Sequence, residues 1–399
     1  MRILIIEPHA NGHHASYLRW LVLEAERRKW QVVIATTPAA LRHPALSMLA
    51  SEFSNVRMHL MEGSRGINLQ SESMPRLLWR EFSYWASFKS AVREISESTG
   101  IDLIVLPYVD YCFYALGLLG GPFRGMPWCA ISMRLALSFS EGTAGGAVPW
   151  KWRIAGRILR DRSLKALFVI NPSVQDLPLD WYSPKKRARL RYLADPAENS
   201  ASASREKSRS ALGITATTVA ILVFGSIDER KGIDFLIEQL VSHDDFKGYT
   251  VILAGKQSEE VRAQMRGSNC ERLRSEGRLI VYDRFLDAEA QGGVFAAADV
   301  VWVGYRSHFY MSGVLVLAGR NGLPVIGTSD GEIGRMIAKH GLGIAARIQE
   351  PKSVAHALRA MLNESVRSEM GGKARAVFAG HTVENFGTSV LGEFDTTSA

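Results

Sequence analysis

Residues 305–326 read YRSHFYMSGVLVLAGRNGLPVI and decide the fold of the second half of the chain. Ser312 and Gly313 precede an apolar helical run, and residues 324–326 follow it as a short buried strand. The N–H groups of a first helical turn lack intrahelical partners, and the helix dipole adds positive potential there. Since the apolar run at 300–303 reads as a strand, the loop lies where open α/β sheets bind ligands. The stretch predicts an anion-binding helix start at the end of a strand.

A second loop with similar features lies about eighty residues upstream. Residues 219–224 (VAILVF) form a continuous apolar run typical of a buried parallel strand, and GSIDERKG follows at 225–232. Gly225 permits close approach of the backbone to a ligand, and Arg230 and Lys231 offer cations to a phosphate. Charges in one such loop are more often simply solvated. Combined with the Ser-Gly helix start, they favour a diphosphate held between the two loops.

Four sequence blocks together resemble the nucleotide-sugar-binding domain of GT-B glycosyltransferases. They are VAILVFGSIDERKG at 219–232, VILAGKQ at 251–257, VYDRFLDAEAQGGVFAAADVVWVGYR at 281–306 and SGVLVLAGRNGLPVIGTSDGEIGRMI at 312–337. Their order and spacing are similar to those of the large retaining family that builds bacterial polysaccharides and glycolipids. The resemblance implies an α/β protein with two Rossmann-like β/α/β domains facing across a cleft. It also implies hexosyl transfer from a nucleotide diphosphate sugar to a glycan or lipid-linked acceptor.

The chain departs from that family at three positions. Many members carry arginine after the glycine of the first block, where this chain has Ser226. Many also carry two glutamates eight positions apart, where this chain has Phe309 and Leu317. The second glutamate usually contacts the ribose, so ribose recognition here must use another group. A catalytically silent GT-B subunit, which binds a nucleotide sugar or a transferase partner, is therefore the alternative function.

The resemblance also implies which residues form the donor site. The residues expected at the diphosphate are Gly12, Gly225, Ser226, Arg230, Lys231, Ser312, Gly313 and Val314. The residues expected at the nucleoside are Lys256, Gln257, Phe285, Leu286 and Leu317. Because cationic and N–H groups can neutralise a leaving diphosphate, we expect no metal and no other cofactor. The sequence also lacks an Asp-x-Asp metal signature in a loop.

The first half of the chain supplies the candidate catalytic residues. His13 and His14 follow Gly12 after the first strand, where they can bind the diphosphate or act as acid or base. Asp110 follows the strand predicted at 103–106 and is suited to orient an acceptor hydroxyl. In the simpler interpretation, a histidine packs on the next helix and the aspartate caps one. Tyr108 and Arg134 are expected to bind the acceptor or the sugar.

The length and element pattern predict two domains. A chain of 399 residues exceeds one typical core, and strands alternate with helices throughout. The polar stretch at 194–209 reads as a linker. We expect an acceptor-binding domain at 1–195, a nucleotide-sugar-binding domain at 196–374 and a last segment, 375–399, that crosses back to the first domain.

Charge and composition favour a cytoplasmic enzyme with a basic surface. The net charge is +8, the three cysteines are well separated, and no apolar stretch reaches the roughly 18–20 residues that span a bilayer. Cations concentrate at 150–191, beside Trp150 and Trp152. This pattern favours peripheral contact with an anionic membrane at its inner face, or else a solvated basic face. Nucleic acid is not an expected partner, because no recognised motif accompanies the charge.

Overall fold

The computed structural model describes residues 1–11, 13–61, 73–133, 135, 150–176, 179–198 and 203–395, and it divides into two compact units. The first unit comprises Met1–Ala194 together with the segment that begins at Val383. The second unit comprises Asp195–Thr382.

The first unit is built on a parallel sheet of seven strands in the order β3-β2-β1-β4-β5-β6-β7. Its strands are β1 (Arg2–Ile6), β2 (Gln31–Thr36), β3 (Val56–Leu60), β4 (Leu103–Leu106), β5 (Trp128–Ser132), β6 (Leu164–Val169) and β7 (Leu190–Tyr192). β4 and β5 are buried along their whole length, as expected for strands covered by helices on both faces.

Helices cover both faces of this sheet and enclose two apolar clusters. They are α1 (His13–Arg27), α2 (Pro38–Leu41), α3 (Pro44–Glu52), α4 (Met74–Ser98), α5 (Phe113–Leu119), α6 (Trp150–Ile158) and α7 (Pro184–Arg187). A short 3₁₀ turn at Val109–Tyr111 follows β4 and carries the side chains discussed below.

The second unit repeats this plan with a parallel sheet of six strands in the order β10-β9-β8-β11-β12-β13. The strands are β8 (Val219–Phe224), β9 (Tyr249–Ala254), β10 (Leu279–Tyr282), β11 (Val300–Val303), β12 (Val325–Thr328) and β13 (Gly343–Ala346). The helices are α8 (Arg205–Ala211), α9 (Ile233–Ser242), α10 (Glu259–Gln264), α11 (Ser268–Ser275), α12 (Ala288–Ala297), α13 (Gly313–Arg320), α14 (Gly331–His340), α15 (Pro351–Met361) and α16 (Glu364–Phe378).

The last helix, α17 (Val383–Leu391), belongs to the first unit and packs against α1. The ring of Phe386 lies 4.8 Å from that of Tyr17 and 5.6 Å from that of Trp20, measured between centroids. All three side chains are buried, so α17 is part of the first unit's core rather than a loose tail.

Each sheet has one point at which its strand order reverses. The reversal lies between β1 and β4 in the first unit and between β8 and β11 in the second. Loops after the carboxyl ends of two such strands diverge to opposite faces, which opens a crevice suited to a ligand. The candidate catalytic and diphosphate-binding residues follow these four strands in the sequence. Two parallel, helix-wrapped sheets confirm the predicted α/β class with two Rossmann-like domains.

Candidate functional site

Lys231 occupies the crevice of the second unit. It ends a 3₁₀ turn, Glu229–Lys231, after β8, and only 8 % of its surface is exposed. Its Nζ donates hydrogen bonds to the carbonyl oxygen of Phe224 at 2.9 Å and to the hydroxyl oxygen of Tyr305 at 2.8 Å. Among the residues that the structure describes, no carboxylate forms an ion pair with it. This buried ammonium therefore has only neutral partners.

Tyr305 connects Lys231 to the start of α13. Its hydroxyl oxygen also accepts a hydrogen bond from Ser312 Oγ at 3.2 Å. Ser312 is the N-cap of α13, and its Oγ accepts the N–H of Val314 at 3.2 Å. The cation and the helix start thus share one phenol. The sequence pattern placed Lys231, Ser312 and Val314 at one site, and the structure brings them together.

The backbone turn that holds Lys231 is fixed by the strand beside it. The indole N–H of Trp302, on β11, donates to the carbonyl oxygen of Lys231 at 2.7 Å. Gly232 has a left-handed φ of +59°, and a Cβ there would lie 2.4 Å from the carbonyl oxygen of Gly304. A side chain at this position would push the turn away from β11, so glycine is required for the approach.

Gly225 and Gly255 bring the ends of β8 and β9 into direct backbone contact. A Cβ on Gly255 would lie 1.8 Å from the carbonyl oxygen of Gly225, and its φ is +147°. A Cβ on Gly225 would lie 3.8 Å from both Lys231 Nζ and a methyl carbon of Val314. Gly225 therefore borders the space between the cation and α13, as the sequence predicted.

Two other predicted phosphate ligands lie outside this cluster. The guanidinium of Arg230 is exposed and is bound by Asp228, with Nη2 2.6 Å from Oδ2. The Asp228 partner raises the pKa of Arg230. Ser226 is exposed, and the structure gives it no contact with Lys231. Gly313 opens α13 and is half-buried.

The predicted nucleoside residues follow β9 and β10 or lie on α13. Lys256 is exposed, whereas Gln257 is buried and its N–H donates to Asp283 Oδ1 at 2.8 Å. Arg262 binds the same carboxylate and holds the pKa of Asp283 at about 2. The two loops are thereby held side by side.

The apolar members of the nucleoside set differ in exposure. Leu286 and Leu317 pack against the same core cluster, and each is half-buried. Phe285 is 77 % exposed, which leaves its ring available to a planar ligand. Leu286 and Leu317 thus border one core cluster, whereas the ring of Phe285 is exposed to solvent.

Sequence reasoning missed two residues of the loop after β11. Tyr305 is the hub described above, and His308 lies beside it with ring centroids 5.2 Å apart. Burial lowers the pKa of His308, and its Nε2 lies 3.4 Å from the carbonyl oxygen of Met311. Both residues lie between a predicted strand end and the predicted helix start, and that position was the available signal.

The crevice of the first unit contains a buried carboxylate and His14. Glu7 follows β1 and is fully buried, and its Oε2 lies 3.1 Å from His14 Nδ1. The other ring nitrogen, Nε2, lies 2.8 Å from the hydroxyl of Tyr111, in the turn after β4. Burial raises the pKa of Glu7, against the opposing effect of His14. Glu7 was not among the predicted site residues.

Aromatic rings surround this chain of hydrogen bonds. Tyr108 lies 4.6 Å from His14, centroid to centroid, and also 4.6 Å from Tyr111. His9 Nε2 lies 2.7 Å from the hydroxyl of Tyr84, and burial lowers the pKa of His9 to about 4. The predicted residues Tyr108 and His14 are therefore in contact, inside a larger aromatic cluster.

Asp110 lies in the same turn but serves the neighbouring strand. Its Oδ1 accepts the hydroxyl of Ser132 at 2.9 Å, and its Oδ2 accepts the N–H of Met133 at 2.8 Å. Both oxygens thus bind the end of β5. Gly12 and Arg134 lie outside the described residues, as does the side chain of His13.

The basic segment at 150–191 contributes to both the core and the surface. The apolar side of α6 is buried, with Trp152 2 % and Ile158 2 % exposed, whereas Trp150 is 55 % exposed. The cations on the surface are Arg153, Arg157, Arg160, Arg162, Lys165, Lys185, Arg187 and Arg191. In the part of the chain that the structure describes, no helix is both long and apolar enough to cross a bilayer.

Comparison with known proteins agrees with the fold. Residues 218–364 match the family model described as glycosyl transferases group 1. No curated protein sequence matches the chain. The fold is similar to that of sucrose-phosphate synthase from Thermosynechococcus elongatus, with a TM-score of 0.66 at 17 % identity over 98 % of this chain and 97 % of that one.

Two further solved structures have the same architecture. Anabaena HepE, crystallised with UDP, gives a TM-score of 0.66 at 15 % identity, covering 98 % of this chain and 99 % of that one. WaaG, a glycosyltransferase involved in lipopolysaccharide biosynthesis, gives 0.57 at 17 % identity, covering 98 % and 100 %. These likenesses confirm the predicted GT-B fold.

The matched domain and the fold together identify the class of protein. The second unit carries a group 1 glycosyltransferase domain, whose matched residues include Gly225, Lys231, Tyr305 and Ser312. The chain has the GT-B fold, and the matched part of its second unit is a glycosyl transferases group 1 domain. This confirms the resemblance inferred from the four sequence blocks.

Proposed function

We propose that the protein holds the diphosphate of its sugar donor at Lys231, Gly225 and the start of α13, and transfers the sugar to a glycan or lipid-linked acceptor. One observation carries this proposal: the buried ammonium of Lys231 has only neutral hydrogen-bond partners among the described residues. A buried charge without a counter-ion is costly, whereas an anionic ligand compensates it. The N-terminus of α13 adds positive potential to the same place.

The same groups account for transfer without a metal. A nucleoside diphosphate leaves readily once its negative charge is balanced, and Lys231 with the first N–H groups of α13 supplies that balance. We infer retention of anomeric configuration, in which the acceptor hydroxyl attacks from the face of the departing phosphate and that phosphate takes its proton. An inverting reaction with His13, His14 or Asp110 as base is the competing route, and the anomeric form of the product distinguishes the two.

UDP is the first nucleotide to test. The support comes from HepE, whose solved structures contain UDP and UDP-glucose. In our proposal the base packs near Leu286 and Leu317, with backbone groups after β9 and β10 as hydrogen-bond partners. The ribose has no acidic partner at position 317, so its affinity depends on those backbone groups.

We infer that the reaction belongs to bacterial polysaccharide or glycoconjugate synthesis and takes place at the inner face of the membrane. The support is the involvement of WaaG in lipopolysaccharide biosynthesis and the exposed cations around α6. Since the apolar side of α6 is buried, electrostatic attraction would dominate the contact. Binding to phosphatidylglycerol vesicles but not to phosphatidylcholine vesicles, lost in Arg153→Glu/Arg157→Glu, supports it; equal binding to both contradicts it.

A thermal-stability screen with nucleotides tests the donor site. UDP, GDP, dTDP, CMP and ADP are added to the wild type and to Lys231→Ala, each with and without EDTA. A ligand that binds only the folded protein raises the melting temperature by mass action. We expect one nucleotide to stabilise the wild type regardless of chelator, and not the variant. Stabilisation without any transfer or donor hydrolysis would favour the silent-subunit alternative, and no stabilisation at all would refute the diphosphate site.

A further inference from the structure

The buried carboxylate of Glu7 has no role in the donor site and is unusual for its position. It follows β1 at the point where the first sheet reverses its strand order, and it is 0 % exposed. Burying a carboxylate costs free energy unless hydrogen bonds or a cation compensate it. Its partners are the N–H of His9, 3.0 Å from Oε1, and His14 Nδ1, 3.1 Å from Oε2.

Each of these two partners contacts a different oxygen of the Glu7 carboxylate. The His9 N–H can only donate, so Oε1 must accept. Oε2 is left for the imidazole of His14, and an ionised carboxylate is an acceptor only. While Glu7 is ionised, His14 therefore presents Nδ1–H to it, and the other ring nitrogen, Nε2, faces the hydroxyl of Tyr111 at 2.8 Å. A carboxylate on one ring nitrogen sets the tautomer and orientation of a histidine.

The protonation of the Glu7–His14 pair determines the direction of the hydrogen bond between His14 Nε2 and the Tyr111 hydroxyl. When His14 is neutral, Nε2 accepts and the Tyr111 hydroxyl donates to it. When the Glu7–His14 pair binds one more proton, Nε2–H donates and the Tyr111 hydroxyl turns its own hydrogen elsewhere. His14 keeps 16 % of its side chain exposed, so the hydrogen-bonded chain reaches from a buried carboxylate to the crevice surface.

We propose that Glu7 is a positioning residue for the transfer reaction, which fixes the tautomer of His14 so that His14 and Tyr111 act on the substrate as one hydrogen-bonding unit. This inference rests on the proposed function, because it assumes that the crevice of the first unit receives substrate. The sequence predicted His14 as a catalytic residue, and the inference adds Glu7 as the residue that sets the tautomer of His14.

Other ionisable groups face the pair and must be considered in any pH profile. His9 comes from the same loop as Glu7, and Tyr84 and Arg80 from α4. Tyr108 and Tyr111 come from the segment after β4. Burial lowers the pKa of His9 to about 4, so His9 stays neutral near pH 7 and does not account for an ionisation there.

Glu7→Gln is the informative variant. Its amide oxygen must accept the N–H of His9, so the amide NH₂ faces His14 and donates to Nδ1. The imidazole is then forced into the opposite tautomer, with Nε2–H towards Tyr111. Glu24→Gln is the matched control, because Glu24 is another buried carboxylate of the first unit but pairs with Arg27 and Arg28.

Nitrogen-15 NMR of the histidine side chains, with His14→Gln to assign the signal, reads the tautomer without any need for activity. We expect the His14 tautomer to switch in Glu7→Gln and to stay unchanged in Glu24→Gln. An unchanged tautomer in Glu7→Gln overturns the inference. This result is independent of whether the donor or acceptor has been identified.

Steady-state kinetics then test the link to transfer. We expect Glu7→Gln to lower kcat on the order of 10- to 100-fold, to change the donor KM less than about threefold and to remove one limb of the kcat–pH profile. In the His14→Gln background the same change should cost less than about twofold. Wild-type-like kcat and pH profile in Glu7→Gln overturn the inference, whereas a wild type inactive with every donor refutes the proposed function instead.

Discussion

The ammonium nitrogen of Lys231 lies 2.8 Å from the hydroxyl oxygen of Tyr305, and Ser312 Oγ lies 3.2 Å from the same oxygen. The phenol thus holds a buried cation at the first turn of α13. Positive charge from a side chain and from a helix start converge on one place, beside the glycine that ends β8. We infer that this arrangement is pre-formed for a diphosphate.

Tyr305→Phe removes the acceptor that the cation and Ser312 share. The ammonium then keeps only the carbonyl oxygen of Phe224, and its position is less restricted. We expect the affinity for the nucleoside diphosphate to fall about tenfold, in the range for a hydrogen bond to a charged group. Titration calorimetry measures it, with Tyr310→Phe, an exposed tyrosine of the same loop, as the control. Equal affinity in the two variants would show that the phenol is dispensable.

Ser312→Ala tests the helix start itself. The substitution removes the cap of Val314 N–H and should lower the free energy of unfolding by about 1 kcal/mol. Asn363→Ala is a matched control, since Asn363 caps α16 through Ser365 and Val366. Both variants should lose similar stability, measured by thermal melting, but only Ser312→Ala should weaken nucleotide binding. Equal binding by both would separate α13 from the donor site.

Gly255→Ala should damage the junction between β8 and β9. The added Cβ would lie 1.8 Å from the carbonyl oxygen of Gly225, at a φ of +147° that other residues rarely adopt. We expect a loss of stability of about 2 kcal/mol or more, together with weaker nucleotide binding. Gly248→Ala, where nothing lies within 4 Å of the added carbon, is the control. Melting temperatures of the two variants within about 1 °C of each other would contradict the close approach.

Glu81→Gln should change how stability depends on pH. Glu81 is 1 % exposed, and burial raises its pKa to about 7. A carboxyl whose pKa is raised by folding binds its proton more tightly in the folded state, so its contribution to stability falls as pH rises from about 4.5 to about 7. In the wild type this decline is up to about 3 kcal/mol.

Urea unfolding at pH 5 and pH 8 measures the difference between the wild type and Glu81→Gln. The neutral glutamine can still accept from Tyr114 and Ala115, whose N–H groups bind Glu81 at 2.6 and 3.1 Å. We therefore expect the variant to gain stability relative to the wild type at pH 8 and little at pH 5. A gain of equal size at both values would mean that Glu81 ionises normally.

The sequence predicted most of the fold because its signal is local. Apolar runs such as 219–224 and 103–106 have no polar face, which indicates strands covered on both sides. The loops after the apolar runs at 219–224 and 300–303 carry Lys231 and Ser312. Both residues were predicted from a strand end together with a loop cation or a helix start. Parallel α/β sheets place such loops together whatever the details of packing.

The residues that were missed depend on long-range contacts. Tyr305 is 74 positions from Lys231, and it reaches that cation only because β8 and β11 are neighbours in the sheet. Glu7 looked like an ordinary charge at the end of a strand, since burial cannot be read from one position. Asp110 lies where expected, yet it binds Ser132 and Met133 of an adjacent strand.

Binding of UDP to Lys231→Met, measured by titration calorimetry, tests the central claim most directly. Methionine preserves much of the side chain's length and apolar stem but removes the charge. Lys247→Ala, at an exposed surface pair, controls for loss of net charge. The account predicts that the wild type and Lys247→Ala bind alike, that Lys231→Met binds at least about 30-fold more weakly and that its apo form melts no lower. UDP binding with equal affinity by wild type and Lys231→Met would contradict the account.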